Sequence, residues 1–254
     1  MLSCTMQNKK ISIITVTKNS EINIEKSINS FLSQNYINKE LIIIDGLSSD
    51  NTLKIINKYK KNVSKIVSEK DGGVYAALNK GFKFVSGDVV GILHSDDYYY
   101  DNNSLTNVMN SFNNNNLSLA HTNVEIIYKK FSRKFRSSIN FNDIDFSKGR
   151  MPPHPGIFFK KKILELIGSF DLKFNFASDL DFIIRCFKEI PKEEIKYLDF
   201  FSVVMKSGGK STSNIFNIFK QNIECMNVLK KNNIKFSKFD FILSKIVDRI
   251  RQIK

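Results

Sequence analysis

Cysteine is scarce in this 254-residue chain. Cys4, Cys186 and Cys225 form an odd, scattered set, which excludes a disulfide framework and a thiolate zinc site. No apolar run approaches the ~18 residues of a membrane-spanning helix. Met1 to Lys10 contains no apolar stretch of the kind that opens a secretory signal. Leu2-Ser3-Cys4 has the outline of a lipoprotein cleavage box, but nothing apolar precedes it. A reducing cytoplasm is therefore the expected setting. Glycine is missing from Thr17-Lys18-Asn19-Ser20, the turn after the first apolar run. A dinucleotide fold places G-x-G-x-x-G there so that the backbone can approach a pyrophosphate, and its absence argues against an NAD or FAD enzyme. Ser207-Gly-Gly-Lys-Ser-Thr212 lacks the spacing and strand-loop-helix context of a P-loop.

What is present reads as one large globular domain with an appendage, 42% hydrophobic and 25% charged. A chain of this length buries roughly 70–75% of its unfolded surface and needs no covalent staple. The net charge of +14 is the unusual quantity and implies a polyanionic partner. From Phe200 to Lys254 there are eleven Lys or Arg against three Asp or Glu.

The first half alternates strand and helix. Ile11–Val16, Leu41–Ile44, Val63–Ser68 and Asp88–Leu93 are short runs rich in β-branched residues and read as buried strands. Between the first two, Ile24, Ile28, Phe31 and Leu32 mark one helical face; Leu53, Ile56 and Lys60, then Val74–Val85, supply two further helices. This order predicts an α/β fold with a mostly parallel central sheet flanked by helices. The predicted units are a disordered lead over 1–9, one domain over 10–215 with two halves, 10–112 and 113–215, and a helical extension over 216–254. The second half carries a strand pair within Leu119–Phe135, a strand over Gly156–Lys160, helices at Lys161–Ile167 and Ser178–Lys188, a strand over Tyr197–Met205, and helices from Ser213 onward.

Ligands of such sheets bind beyond the carboxyl ends of the strands, where the polar motifs lie. His94-Ser95-Asp96-Asp97 follows the fourth strand. Its adjacent carboxylates repel each other unless a cation or ribose hydroxyls satisfy them; the bland alternative is a solvated acidic turn. A divalent ion that bridges phosphates needs only one or two protein carboxylates. Asp45, at the end of the second strand, can accept a base imide N–H or cap the helix that follows. Asp71-Gly72-Gly73 opens a helix, either as an ordinary turn or as a place where a ligand approaches the backbone.

In order, Ile14–Asn19, Ile44–Thr52, Asp71–Gly81, Gly87–Asp97 and Ala177–Phe182 read strand-Thr-Lys-Asn, Ile-Asp-Gly-x-Ser-x-Asp-x-Thr, Asp-Gly-Gly-x-Tyr-x-Ala-x-Asn-Lys-Gly, Gly-Asp-x-x-x-x-Leu-x-Ser-Asp-Asp and Ala-Ser-Asp-x-Asp-Phe. This set closely resembles the family-2 glycosyltransferases of the GT-A fold, in particular the bacterial branch that builds exopolysaccharide, capsule or lipopolysaccharide, over about residues 10–215. The resemblance implies a nucleotide-binding half over 10–112 and an acceptor-binding half over 113–215, with a nucleotide pocket at Thr17, Asn19, Asp45 and Asp71 and Asp45 on the uracil edge of a uridine-diphosphate donor. It implies a metal motif in which Asp96 faces ribose or metal and Asp97 binds Mn2+ or Mg2+. Asp179 then becomes the catalytic base, and Gly208-Gly209-Lys210-Ser211 lies near a closing loop. The implied reaction is inverting transfer of a sugar from a nucleoside-diphosphate donor to a hydroxyl of a glycan or polyprenyl-linked acceptor. His94 and Ala76 depart from the pattern, standing where relatives often carry Asn or Asp and an acid, respectively.

Independent chemistry agrees with one base. A diphosphate leaving group needs no side-chain acid, so one carboxylate suffices for the acceptor hydroxyl, whereas a glycosidase needs two flanking the bond. Asp179 and Asp181, at i and i+2, face different ways, so the second is expected to be solvated or to cap. His154, aimed by the prolines of Pro152-Pro153-His154-Pro155, is expected to contact the donor diphosphate, the acceptor or the metal. His94 and His121 read more simply as structural. Lys130, Lys134 and Arg136 alternate with Phe131 and Phe135, but no nucleic-acid motif accompanies them, so nucleic acid is not expected as a partner.

In the tail, Phe239, Ile242, Leu243, Ile246, Val247, Ile250 and Ile253 recur at helical spacing, with Lys238, Lys245, Arg249 and Arg251 outside that stripe. The stripe packs on the enzyme or a second subunit, or lies in an anionic membrane surface; the latter implies a cytoplasmic protein peripheral on the inner face of the cell membrane. Two rival functions share parts of this pattern. A nucleotidyltransferase would require a Gly-rich basic loop after the first strand. A non-catalytic nucleotide-binding module would not need Asp96, Asp97 and Asp179 intact.

Overall fold

The computed structural model describes residues 8–114, 116–127, 132–135, 145–206 and 215–253. Among these residues nine strands form one sheet in the order β3-β2-β1-β4-β8-β6-β9-β5, with β7 paired to the Val124–Ile127 end of β6. The strands β1 (Ile11–Thr17), β2 (Lys39–Asp45), β3 (Lys65–Ser68) and β4 (Val89–Ile92) run parallel. β6 (Leu119–Ile127) and β9 (Ile195–Lys206) share their direction, while β5 (Tyr98–Tyr99), β7 (Ser132–Phe135) and β8 (Ile157–Lys160) run opposite. The sheet is thus mostly parallel, and it continues without a break through both predicted halves.

The β-branched runs make central strands because both faces of each are covered. Ile11 and Ile13 face one layer, with Leu41 and Ile43 of β2. That layer is closed by Ile24, Ile28 and Phe31 of α1 (Ile24–Leu32), Ile56 of α2 (Thr52–Lys58) and Val108 and Phe112 of α4 (Ser104–Asn114). Ile14, Val16, Ile42 and Ile44 face the other layer. There they meet Ala77, Leu78 and Phe82 of α3 (Val74–Phe82), Ile163 of α5 (Lys162–Ile167), and Phe182 and Ile183 of α6 (Ser178–Glu189). The period-2 alternation of β-structure sends successive residues into different cores. Gly81 lets α3 lie close on β1: a Cβ there would stand 2.6 Å from Ile14 Cγ2. Asn113 and Asn114 form the end of α4.

The last two helices are not a detached appendage. Cys225, Val228 and Leu229 of α7 (Ile215–Lys231) and Phe241 of α8 (Lys238–Ile253) form a third core with Ala177, Leu180 and Ile184 of α6. Ser244 and Lys245 of α8 also bond the carbonyls of Lys148 and Gly149. Among the described residues, no helix is long and apolar enough to cross a membrane.

Candidate active site

The strand order places β1 between β2 and β4, with successive strands laid down on opposite sides of it. Such a switch point leaves a crevice at the strands' carboxyl ends. The loops there are tied together. Gly46 N–H bonds Thr17 O at 2.9 Å, and Asn19 Oδ1 accepts from Ser49 N–H at 2.9 Å. Asn19 and Leu47 both hold positive φ, 51° and 58°, a conformation with a steric cost that is common where a loop is shaped for a ligand. Thr17 is buried, and its hydroxyl has no hydrogen-bond partner among the described residues. Gly46 leaves room for Asp71: a Cβ there would lie 2.6 Å from Asp71 Oδ2. Thr17, Asn19, Asp45 and Asp71, spread over 55 positions of sequence, therefore share one rim.

Asp45 is fully buried. Its carboxylate accepts from Ser48 N–H at 3.1 Å, from the Ser48 hydroxyl, and from Ser68 Oγ at 2.6 Å. These contacts hold the loop after β2, and none of them caps α2, whose N-cap is Asn51, so the helix-capping alternative for Asp45 is not the one seen.

On the other side of the crevice, Asp97 is buried. Its Oδ1 accepts from the Lys206 N–H at 3.3 Å, and among the described residues no Lys or Arg pairs with it. Burial, then the neighbouring Asp96, pushes its carboxyl well above the usual carboxylate range. A buried carboxylate beside a second one and short of cationic partners fits a divalent ion, which would remove both penalties. Asp96 is the more accessible of the two and lines a cavity of about 150 Å³ with Asn23, Lys26, Tyr98 and Lys206. Among the described residues no three His, Cys, Asp or Glu side chains cluster at metal-binding spacing, so donor phosphates or water would complete any coordination shell. A larger cavity, about 470 Å³, lies between α5 and the end of α6 and contains none of the motif residues.

The third component was only partly legible. Asp179, at the start of α6, accepts from Tyr75 Oη at 3.1 Å and lies 3.6 Å from His154 Nδ1. His154 Nε2 in turn meets His94 Nε2 at 2.6 Å. A polar chain thus runs Tyr75–Asp179–His154–His94 and ends beside Ser95-Asp96-Asp97. Burial drives the His94 pKa to about 3, helped by His154, and the His154 pKa to about 4. Both imidazoles are therefore neutral, one donating its Nε2–H to the other. Burial also raises the Asp179 carboxyl, opposed by the Leu180 N–H and the Tyr75 hydroxyl. The geometry suits a carboxylate that accepts a proton and neutral imidazoles that hold it in place.

α7 sets the position of Asp179. Glu224 Oε2 accepts from the Phe176 and Ala177 N–H groups, at 2.7 and 3.2 Å, just before α6 begins. Asp181, expected to be solvated or to cap, is instead fully buried. It binds Arg185 Nε at 2.9 Å, Lys231 Nζ at 2.8 Å and Asn232 Nδ2 at 2.9 Å. The i, i+2 spacing turned it away from the crevice, as expected, but toward α7 rather than toward water. His121 is a core residue of β6, packed between the rings of Phe187 and Tyr197, and joins no part of the crevice.

Tyr75, His94 as the partner of His154, and Glu224 were not assigned to the site from the sequence. The only signal was the tyrosine in Asp71-Gly72-Gly73-Val74-Tyr75, one turn into a helix that opens at the crevice. Gly208-Gly209-Lys210-Ser211 lies outside the described residues, as does most of the basic stretch around Lys130 and Arg136.

Comparison with known proteins places the chain in a family. The model of the family described as "Glycosyl transferase family 2" matches residues 12–181, more than half of the chain. A PGL/p-HBAD biosynthesis glycosyltransferase of Mycobacterium tuberculosis is 28% identical over 180 residues, 69% of each chain. The Escherichia coli UDP-Glc:alpha-D-GlcNAc-diphosphoundecaprenol beta-1,3-glucosyltransferase WfgD is 35% identical over 123 residues, 48% of each chain. Residues 1–349 of S. aureus TarS, in complex with UDP-GlcNAc, superpose with a TM-score of 0.69 at 19% identity, over 90% of this chain and 68% of that one. The mannosyltransferase PcManGT from Pyrobaculum calidifontis, in complex with GDP-Man and Mn2+, gives 0.66 at 14%, over 93% and 69%. With the family match extending from β1 to Asp181 in α6, and with the sheet shared by these structures, the chain belongs to glycosyl transferase family 2 and is a glycosyltransferase of the GT-A fold.

Proposed function

We propose that this enzyme transfers a sugar, with inversion, from a uridine-diphosphate donor to a hydroxyl of a glycan or polyprenyl-linked acceptor in cell-surface polysaccharide assembly, at the cytoplasmic face of the membrane. The observation that carries the reading is the carboxylate of Asp179, which accepts from Tyr75 and faces His154, whose ring meets that of His94 beside the Asp96-Asp97 pair. The uridine donor and lipid-linked acceptor are supported by the UDP-GlcNAc bound to TarS and by the substrate named for WfgD. Use of a divalent ion is supported by the Mn2+ of PcManGT and by the buried Asp97, which no Lys or Arg among the described residues pairs with.

Thr17, with its free hydroxyl, Asn19 and Asp71 form the rim against which the nucleoside rests, and Asp45 shapes that rim from beneath. A divalent ion held by Asp96 and Asp97 would neutralise charge on the departing diphosphate. Asp179 accepts the acceptor's hydroxyl proton as the oxygen attacks the anomeric carbon. Tyr75 keeps the carboxylate ionised and aimed, and the neutral His154–His94 pair holds its other oxygen in line without competing for the proton.

The test is a screen of nucleotide sugars for hydrolysis and transfer, with Mn2+, Mg2+ or chelator. A single uridine-diphosphate sugar turned over only with metal is the expected result. Turnover undiminished in excess chelator, or of guanosine donors alone, refutes the corresponding part.

A further inference from the structure

The apolar stripe of α8 does not cover the protein's own core. The helix turns Phe241, Ser244 and Lys245 inward, onto the third core and the Lys148–Gly149 carbonyls. On the opposite side, Phe239, Ile242, Leu243 and Ile246 are 75%, 47%, 47% and 51% exposed. α7 repeats the pattern. Cys225, Val228 and Leu229 are buried, whereas Phe216, Phe219 and Ile223, about half a turn away around the helix, are exposed. Exposed large side chains at helical spacing on two consecutive helices mark a contact surface rather than scattered surface apolar residues.

The charge around these faces selects the occupant. Lys220 and Lys230 on α7, and Lys235 and Lys238 at the start of α8, are exposed, with Asp240 the one exposed acid between Lys235 and Ile246. Lysine is depleted from protein–protein interfaces. An apolar helix face bordered by lysines is instead the composition that inserts at the headgroup boundary of an anionic bilayer. We propose that the outward faces of α7 and α8 dock this enzyme on an anionic membrane surface, the phenylalanines entering the interface and the lysines meeting lipid phosphates. The same helices hold α6 through Glu224, Lys231 and Phe241, so the docking face is rigidly joined to the base Asp179. The inference rests on exposed residues outside the crevice and not on the identity of the donor.

The experiment is co-sedimentation of the full chain with vesicles of phosphatidylcholine, with and without phosphatidylglycerol, at low and high salt. The expected result is binding to anionic vesicles that weakens about tenfold or more on neutral vesicles or in high salt. Phe219→Ser with Ile242→Ser, and separately Lys220→Glu with Lys238→Glu, should each weaken it by about tenfold or more. Because these side chains are exposed, both double variants should keep the wild-type melting curve and the wild-type turnover of donor without vesicles. A wild-type chain that ignores anionic vesicles, or variants that bind as well as wild type, overturns the proposal. So does a wild-type dimer that Phe219→Ser with Ile242→Ser makes monomeric in the absence of lipid, since the faces would then join two copies. Loss of donor turnover alone would count against the catalytic reading and leave the docking face standing.

Discussion

Replacing Tyr75 with phenylalanine removes one atom from the site and separates a positioning role from a packing one. The ring of Tyr75 lies 5.3 Å from that of Phe170, a contact phenylalanine preserves. What disappears is the hydrogen bond from Oη to Asp179 Oδ1, 3.1 Å long. Hydrogen bonds to charged groups contribute about 1.5–3 kcal/mol. This one is longer than the usual O–H···O distance, so the lower value, about 1.5 kcal/mol, applies. The hydroxyl stabilises the ionised carboxylate, as does the charge of Lys245, while burial opposes both. Without the hydroxyl, burial is opposed less and the Asp179 pKa rises further. A base must be ionised to act, so the acid limb of kcat/KM moves to higher pH. Well above both limbs the variant should come within a few-fold of wild type, because the base is present and intrinsically stronger. Asp179→Asn, in contrast, should lose about 10²–10⁴-fold at every pH. Nucleotide affinity should stay within a few-fold in both variants. The assay is transfer rate against pH with the melting temperature followed in parallel. An acid limb that does not move, or a loss equal at all pH values, refutes the role given to Tyr75.

Further outcomes follow from other groups. Asp181→Asn should be a stability variant: it leaves Lys231 and Arg185 without their buried carboxylate, at a cost of about 2–3 kcal/mol, read as a fall of roughly 5–10 °C in Tm. Asp97→Ala should cut turnover by about 10²-fold or more and abolish any shift of Tm by Mn2+ with nucleotide; persistence of that shift would remove Asp97 from the metal site. Glu40 lies at the opposite end of β2. Burial alone would raise its pKa, but Lys10, Ser12 and Ser86 hold it down to about 2. Its stabilisation is complete above the unfolded value near 4.5 and is lost as pH falls toward 2. Glu40→Gln should therefore cost about 2 kcal/mol at neutral pH and nothing at the acid end, checked by denaturant titration at both pH values.

The order of strands and motifs was legible because buried parallel strands leave an unbroken β-branched signature and because right-handed crossovers return every loop to one edge. Residues at the ends of four such strands must therefore come to one edge of the sheet, where contacts between the loops tie Thr17, Asn19, Asp45 and Asp71 together and where Asp96 and Asp97 follow β4. Pair contacts across the chain were not legible. Tyr75 and Asp179 are 104 positions apart, and His94 and His154 are 60 apart. The packing of α3 and α6 on the same sheet face brings the first pair together, and the antiparallel pairing of β4 with β8 brings the second; a linear pattern carries no register for either. Helical spacing showed that Asp179 and Asp181 diverge, but not that α7 would cover Asp181 with Lys231 and Asn232. α8 shows the same limit from the other side. Periodicity defines an apolar stripe without saying what it faces, and here the tertiary structure buries Phe241 and Ser244 and turns the stripe outward. Amphipathicity is a property of one segment, whereas burial depends on which neighbour arrives, and only the assembled fold supplies the neighbour.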